Sequence, residues 1–256
     1  MAIMDVAQDQ AVEVGPFWVV DATATQVVGQ IVDAAISERD RAVLVYALHV
    51  GGLNERHDPA FVEAMREADL VYADGGSVVW LARRSGAAVI ERAPTTDIGW
   101  DVLRDLSARL GRPARVALIG GPEGLAERAG AEMEASGWAE IVYVTHGYHQ
   151  DWTDPLAEAR AAVPDVTVVG LGAPREMVWA KTWREQLPVG VLLTCGGWFG
   201  HIVGDEKRAP RVLRHSGVEW MARFAQAPRR LGPRYAKGIV STAVIGAQRD
   251  RRSARV

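Results

Sequence analysis

Asp74 follows the apolar run Leu70–Ala73 and precedes Gly75-Gly76. A carboxylate held at the end of a buried strand, partly removed from water, is placed to take a proton from a sugar hydroxyl. The same residue type in the same place could instead cap a helix beginning near Ser77, since Asp is a favoured N-cap. Three glycine-bearing turns share its setting: Gly120-Gly121, Gly170-Leu171-Gly172 and Gly196-Gly197 each close an apolar run. Glycine at such ends lets a phosphate or sugar approach backbone N–H groups closely. Arg92, Arg208, Arg229, Arg230 and Arg234 could bring planar guanidinium forks to phosphate oxygens, or could lie on the surface.

Several chemistries lack their residues. Gly170-Leu171-Gly172-Ala173-Pro174-Arg175 starts as a dinucleotide fingerprint but carries Arg175 in place of the third glycine. There is no G-K-[ST] of a P-loop and no G-x-S-x-G elbow of a serine hydrolase. No D-x-D pair offers a divalent-cation clamp, and the six histidines form no metal-binding spacing. If a diphosphate leaves from this site, arginines and backbone amides must stabilise it. Neither a metal nor an organic cofactor is expected.

These residues need a scaffold that delivers several strand ends to one edge. Apolar β-rich runs at Val43–Leu48, Leu70–Ala73, Arg115–Ile119, Ile141–Thr145, Val166–Gly172 and Val189–Gly197 read as strands. Helical patterns separate them, at Thr25–Ser37, Pro59–Ala68, Ser77–Arg84, Asp97–Leu110, Glu123–Ser136, Pro155–Val163 and Pro174–Leu187. This alternation predicts an α/β fold, a Rossmann-like doubly wound parallel sheet. His49-Val50-Gly51-Gly52 reads as a loop after the first strand. Residues 1–16 read as a flexible leader, 17–204 as the catalytic core and 205–256 as a basic helical appendage, with helices at Val212–Ala225 and Ala236–Ala247.

Charge sets the appendage apart. From Gly200 to Val256 there are 13 Lys plus Arg against 4 Asp plus Glu, a balance of +9, and the rest of the chain stands at −12. A basic end on an acidic body suggests an anionic partner, a diphosphate, a lipid surface or a nucleic acid, or else a solvated basic face. One cysteine, Cys195, excludes an intrachain disulfide and favours a reducing compartment. Met1–Gly15 is polar and acidic, and no apolar run reaches the ~18 residues a spanning helix needs. The expected location is the cytosol, or the cytosolic face of a membrane.

Taken in order, the motifs resemble the WecG/TagA/CpsF family of bacterial glycosyltransferases, over roughly residues 43–235. They are Ala73-Asp74-Gly75-Gly76-Ser77-Val78-Val79-Trp80, Glu91-Arg92 with Asp97, Val116–Pro122, His146-Gly147-Tyr148, and Gly170-Leu171-Gly172-Ala173-Pro174. Gly196-Gly197-Trp198-Phe199, Arg208-Ala209-Pro210, Gly217–Arg223 and Pro228–Tyr235 complete the set. The resemblance implies an inverting, metal-independent transferase with a core of the type called GT-E. It would move an N-acetylmannosamine-like sugar from a UDP donor to N-acetylglucosamine on a polyprenyl diphosphate, serving cell-envelope polymers. Asp74 would be the base and Arg92 a diphosphate ligand. Asp97, Gly120, Gly121, Tyr148, Gly172, Pro174, Glu176, Gly196, Gly197, Arg208, Arg229, Arg230 and Arg234 would complete the substrate site, with the appendage closing over it or meeting an anionic membrane. No nucleic-acid partner is implied, and a homo-oligomer stays open.

The departures fall at positions expected to touch substrate. The family's Thr-x-Asn is Ala47 and His49 here, its Pro-Lys-Gln-Glu is Pro174-Arg175-Glu176-Met177, and its Phe-Asp is Phe199-Gly200. Thr95 and Ala227 stand for a glycine and a glutamate. His49 could share or replace the base role, because imidazole titrates near neutrality, or it could be a structural histidine. A carboxylate at Glu176 should avoid a diphosphate unless it bonds a sugar hydroxyl or amino group. Three outcomes fit this rewriting: a changed donor, a changed acceptor such as a soluble small molecule, or an inactive nucleotide-sugar-binding subunit.

Overall fold

A computed structural model describes residues 10–205 and 228–253. The expectations for residues 1–9, for Arg208 and for a helix at Val212–Ala225 lie outside the described residues. Among the described residues there are eight strands: β1 (Ala11–Val14), β2 (Phe17–Val20), β3 (Ala42–Leu48), β4 (Leu70–Ala73), β5 (Ala114–Gly120), β6 (Ala139–Thr145), β7 (Val166–Gly170) and β8 (Gly190–Thr194). The last six form one sheet in the order β4-β3-β8-β7-β5-β6, parallel throughout. Every residue of β3 is buried, as expected of a strand covered on both faces.

The helices divide between those faces. On one lie α1 (Ala24–Ile36), α5 (Thr95–Leu110), α6 (Leu125–Ala135) and α9 (Trp198–Ile202). They pack on Val43, Val45, Tyr72, Val116, Leu118, Val168 and Leu193. The other holds α2 (Val50–Asn54), α3 (Pro59–Arg66), α4 (Gly76–Arg84), α7 (Thr153–Ala161) and α8 (Arg175–Thr182) over Leu44, Tyr46, Leu48, Val71, Val169 and Leu192. The fold is the doubly wound, Rossmann-like α/β arrangement that the strand–helix alternation predicts.

Local chemistry explains the element ends. Thr23 and Gln26 close a reciprocal capping box on α1, and Asp58 caps α3 ahead of Pro59. Gly111, at φ 67°, ends α5. Packing is close where α9 meets α5: a methyl on Gly99 would sit 2.2 Å from the Trp198 ring. Glycine leaves the room that the edge of the indole occupies there.

Three expectations are corrected. Residues 10–16 are not a flexible leader, because β1 pairs antiparallel with β2 around Gly15-Pro16. Val14, Phe17 and Val19 bury against the α3 face, with Phe17 and Phe61 edge to face at 5.6 Å. The loop after β3 is the short helix α2. The helix expected over Pro174–Leu187 is α8 followed by a 3-10 turn at Arg184–Gln186, which lets Leu187 turn into the core ahead of β8.

Within residues 205–256 the structure describes α10 (Pro228–Ser253), about 39 Å long at 1.5 Å per residue. It packs on α2 and α4. A methyl on Gly238 would lie 2.2 Å from Val50 Cγ2, so the two backbones approach closely there. Arg56 donates to Ser241 Oγ at 2.7 Å, Ser241 donates to Asn54 at 3.0 Å, and Lys237 pairs with Glu55 at 3.0 Å. Among the described residues, no helix is long and apolar enough to cross a membrane.

Candidate functional site

All six parallel strands end on one rim, so the motifs separated in sequence arrive side by side. Across the sheet the rim carries Asp74 after β4, His49 after β3, Cys195-Gly196-Gly197 after β8, Leu171-Gly172 after β7, Gly121 after β5 and His146-Gly147-Tyr148 after β6. In two neighbouring pairs the strands feed opposite faces: β7 leads to α8 and β5 to α6, β8 to α9 and β3 to α2. Loops diverging in this way open a crevice at the carboxyl ends of a doubly wound sheet. At about 4.8 Å per strand, the rim runs about 24 Å from β4 to β6. Asp74 and Tyr148 therefore stand at opposite ends, too far apart to share one reacting atom.

At the β4 end, Asp74 is half-buried, and its N–H donates to Leu48 O at 2.9 Å. Gly75, not Asp74, is the N-cap of α4, and that cap has no side-chain hydrogen bond. Arg92 is half-buried beside it, because Ala93 N–H donates to Ala73 O at 2.8 Å and lays the segment along the end of β4. Asp97 is half-buried in the first turn of α5, with its N–H on Pro94 O.

His49 serves as the N-cap of α2. Its Nδ1 accepts from Gly51 N–H at 2.9 Å and Gly52 N–H at 3.4 Å. That use of the Nδ1 lone pair leaves the ring proton on Nε2 in the neutral tautomer, so the ring faces any further partner as a donor. Ala47 is buried, with its N–H on Thr194 Oγ1 at 3.2 Å.

Beneath Asp74 lies a buried polar layer that sequence reasoning missed. Tyr72 and Thr95 share a hydrogen bond of 2.6 Å, and Thr95 Oγ1 also approaches Thr194 O at 3.5 Å. Burial pushes the Tyr72 hydroxyl well up, and the charge of Asp74 adds to the effect. A signal for this layer exists in sequence, in Tyr72 and Thr194 inside apolar runs, but only the fold shows that they converge.

Glu176, in the first turn of α8, is 2% exposed. Its Oε2 accepts from Gly172 N–H at 3.0 Å and Gly196 N–H at 3.3 Å. Burial pushes its carboxyl up to about 7; the N–H groups of Gly172, Gly196 and Leu171 pull down, and Asp74 raises it further. Cys195, also buried, is pushed well up by desolvation and then by Glu176. Pro174 precedes α8 as its N-cap, and Gly197 caps α9.

The β5–β6 end is built from backbone. Gly120 stands at φ 138°, and a methyl there would meet Gly170 O at 2.4 Å. Gly121 N–H donates to Gly170 O at 3.1 Å, and Gly147 N–H to Gly121 O at 2.8 Å. Arg175 reaches across from α8 to donate to Gly147 O at 2.7 Å, and its guanidinium lies 5.8 Å from the Tyr148 ring centre. Tyr148 is 66% exposed and offers an open aromatic face. Behind it His146 and His149 stack at 4.1 Å, and burial, then His146, lowers the pKa of His149.

The backbones of Arg229, Arg230 and Arg234 lie in the first turns of α10. Among the described residues, no three His, Cys, Asp or Glu side chains gather as a metal-ligand set.

A parallel doubly wound sheet with helices on both faces defines the α/β class in which ligands bind at the carboxyl ends of the strands. Residues 12–255 match the Glycosyl transferase WecG/TagA/CpsF family, and the chain belongs to it. Membership makes the protein a glycosyltransferase and implies a nucleotide-sugar donor and an acceptor.

Proposed function

We propose that the protein is an inverting, metal-independent transferase that moves an N-acetylmannosamine-like sugar from a UDP donor. The acceptor is N-acetylglucosamine on a polyprenyl diphosphate, in the making of a cell-envelope polymer. The position of Asp74 carries this reading: a half-buried carboxylate on the rim, where the Arg92 segment is laid along the end of β4. Asp74 takes the proton of the acceptor hydroxyl as its oxygen bonds the anomeric carbon. The bond from that carbon to the diphosphate oxygen breaks, its electron pair leaves with UDP, and the configuration inverts. Arg92 and the arginines of the 205–256 segment, Arg208, Arg229, Arg230 and Arg234, stabilise the charge that develops on the diphosphate.

Gly120, Gly121, Gly172, Gly196 and Gly197 line the donor cleft, with Pro174 and Asp97 at its edges and Tyr148 at its open end. His49 supports the site as a donor from Nε2 rather than as a second base. The appendage brings its basic residues over the site or onto an anionic lipid surface, which would keep the enzyme on the cytosolic membrane face. A second reading, a soluble small-molecule acceptor, is favoured by Ala47 and His49, which stand where the family carries a threonine hydroxyl and an asparagine carboxamide.

Asp74→Asn tests the assignment. Transfer from a UDP-sugar should be lost while UDP binds with nearly unchanged affinity. Unchanged turnover in that variant removes Asp74 from the mechanism.

A further inference from the structure

Two loops of the rim have no rung of the sheet ladder to hold them together beyond Cys195 N–H on Val169 O, at 2.8 Å. One residue later the chains part, β7 turning to α8 and β8 to α9. Gly172 and Gly196 sit in these two loops at φ 76° and 55°, and both aim their N–H groups at the same oxygen of Glu176. One bond is local, four residues apart, and the other spans 20 residues and two layers of the fold. The remaining rim is tied in series: Gly121 to Gly170, then Gly147 to Gly121. Glu176 is therefore the side chain that continues the rim from the β7 loop to the β8 loop, where the ladder stops.

We propose that Glu176 is a positioning residue, a buried carboxylate clamp that fixes the spacing of the Gly172 and Gly196 loops and so the width of the donor site, without touching substrate. This rests on the reading of those loops as the donor cleft. A buried carboxylate is costly without partners, and converging backbone N–H donors are what make it tolerable. Asp74 and Tyr72 from β4, Tyr46 from β3 and Cys195 from β8 are the titratable groups coupled to it. The ionised clamp holds both amides by charge-assisted bonds. The protonated one keeps only a neutral carbonyl acceptor and grips less firmly.

Amide hydrogen exchange on the ligand-free full chain tests the clamp, with Gly172 and Gly196 as reporters and β3 amides as the internal reference. In wild type both glycines should be protected relative to intrinsic exchange. Glu176→Ala should lower protection at both by about tenfold, the size of one lost hydrogen bond, with β3 unchanged. Glu176→Gln keeps an acceptor and should retain most of that protection at the same pH. Unchanged protection in Glu176→Ala, or protection in Glu176→Gln as low as in Glu176→Ala, overturns the clamp. If Glu176→Ala loses β3 protection as well, the Gln comparison decides. A UDP titration then separates the two ideas. Affinity about tenfold weaker in Glu176→Ala and restored in Glu176→Gln supports the clamp as a shaper of the donor site. Loosened glycines with unchanged UDP affinity refute that link, and wild type that fails to bind UDP refutes the donor reading instead.

Discussion

Replacing Glu176 with Gln should change how stability depends on pH. Burial raises this carboxyl from 4.5 to about 7, so the folded protein prefers it protonated. A group with a raised folded pKa contributes stability that is complete below 4.5 and is lost as pH climbs through 7. The whole span is worth about 3 kcal/mol, and between pH 5 and pH 8 about 2 to 3 kcal/mol of it is lost. Glutamine carries no such titration, and its own fixed cost cancels when one pH is compared with another. Urea unfolding of both proteins at the two pH values gives the difference directly, since every other titrating group is shared. The variant should gain about 2 to 3 kcal/mol on wild type from pH 5 to pH 8. Parallel stability curves would refute the reasoning, because they would mean that Glu176 titrates alike in the folded and unfolded chain.

Other outcomes follow from close contacts and from the rim. Asp74→Asn should lower turnover by about 10²- to 10⁴-fold, the typical worth of a general base, with the melting temperature little changed. Gly99→Ala drives a methyl to 2.2 Å from Trp198 and should cost about 1–3 kcal/mol, read as a lower denaturation midpoint. Gly238→Val should lift α10 from Val50 and speed proteolytic cleavage within 228–253, leaving the α/β core resistant. Ser241→Ala should loosen the same contact less, by about 1 kcal/mol, because it removes one partner of Arg56 and Asn54.

The parallel sheet was legible because the buried strands are short apolar runs with glycine at or soon after their ends, and the longer helices show their apolar period. Asp74 and the glycine loops were legible for a related reason: polar and glycine residues at the ends of such runs must lie at the sheet edge. The β1–β2 hairpin was not, since two strands of four residues around Gly15-Pro16 leave too little alternation to separate from a leader. His49 was read as a loop residue because five helical residues after it carry no period. The direction in which Glu176 points could not be read at all. Its partners Gly172 and Gly196 are 4 and 20 residues away, and only the neighbouring placement of β7 and β8 brings both to one carboxylate. The layer formed by Tyr72, Thr95 and Thr194 was hidden in the same way, by contacts between elements remote in sequence.

The central claim is sugar transfer from a nucleotide donor at the rim beside Asp74, and product analysis tests it most directly. The purified protein would be incubated with a panel of UDP-sugars and a short-chain polyprenyl-diphosphate-linked N-acetylglucosamine, with EDTA present, following UDP release and product mass. The account predicts one donor that yields UDP and a lipid heavier by one N-acetylhexosamine, joined with inverted configuration. UDP bound without product from any donor, or a product of retained configuration, would contradict it.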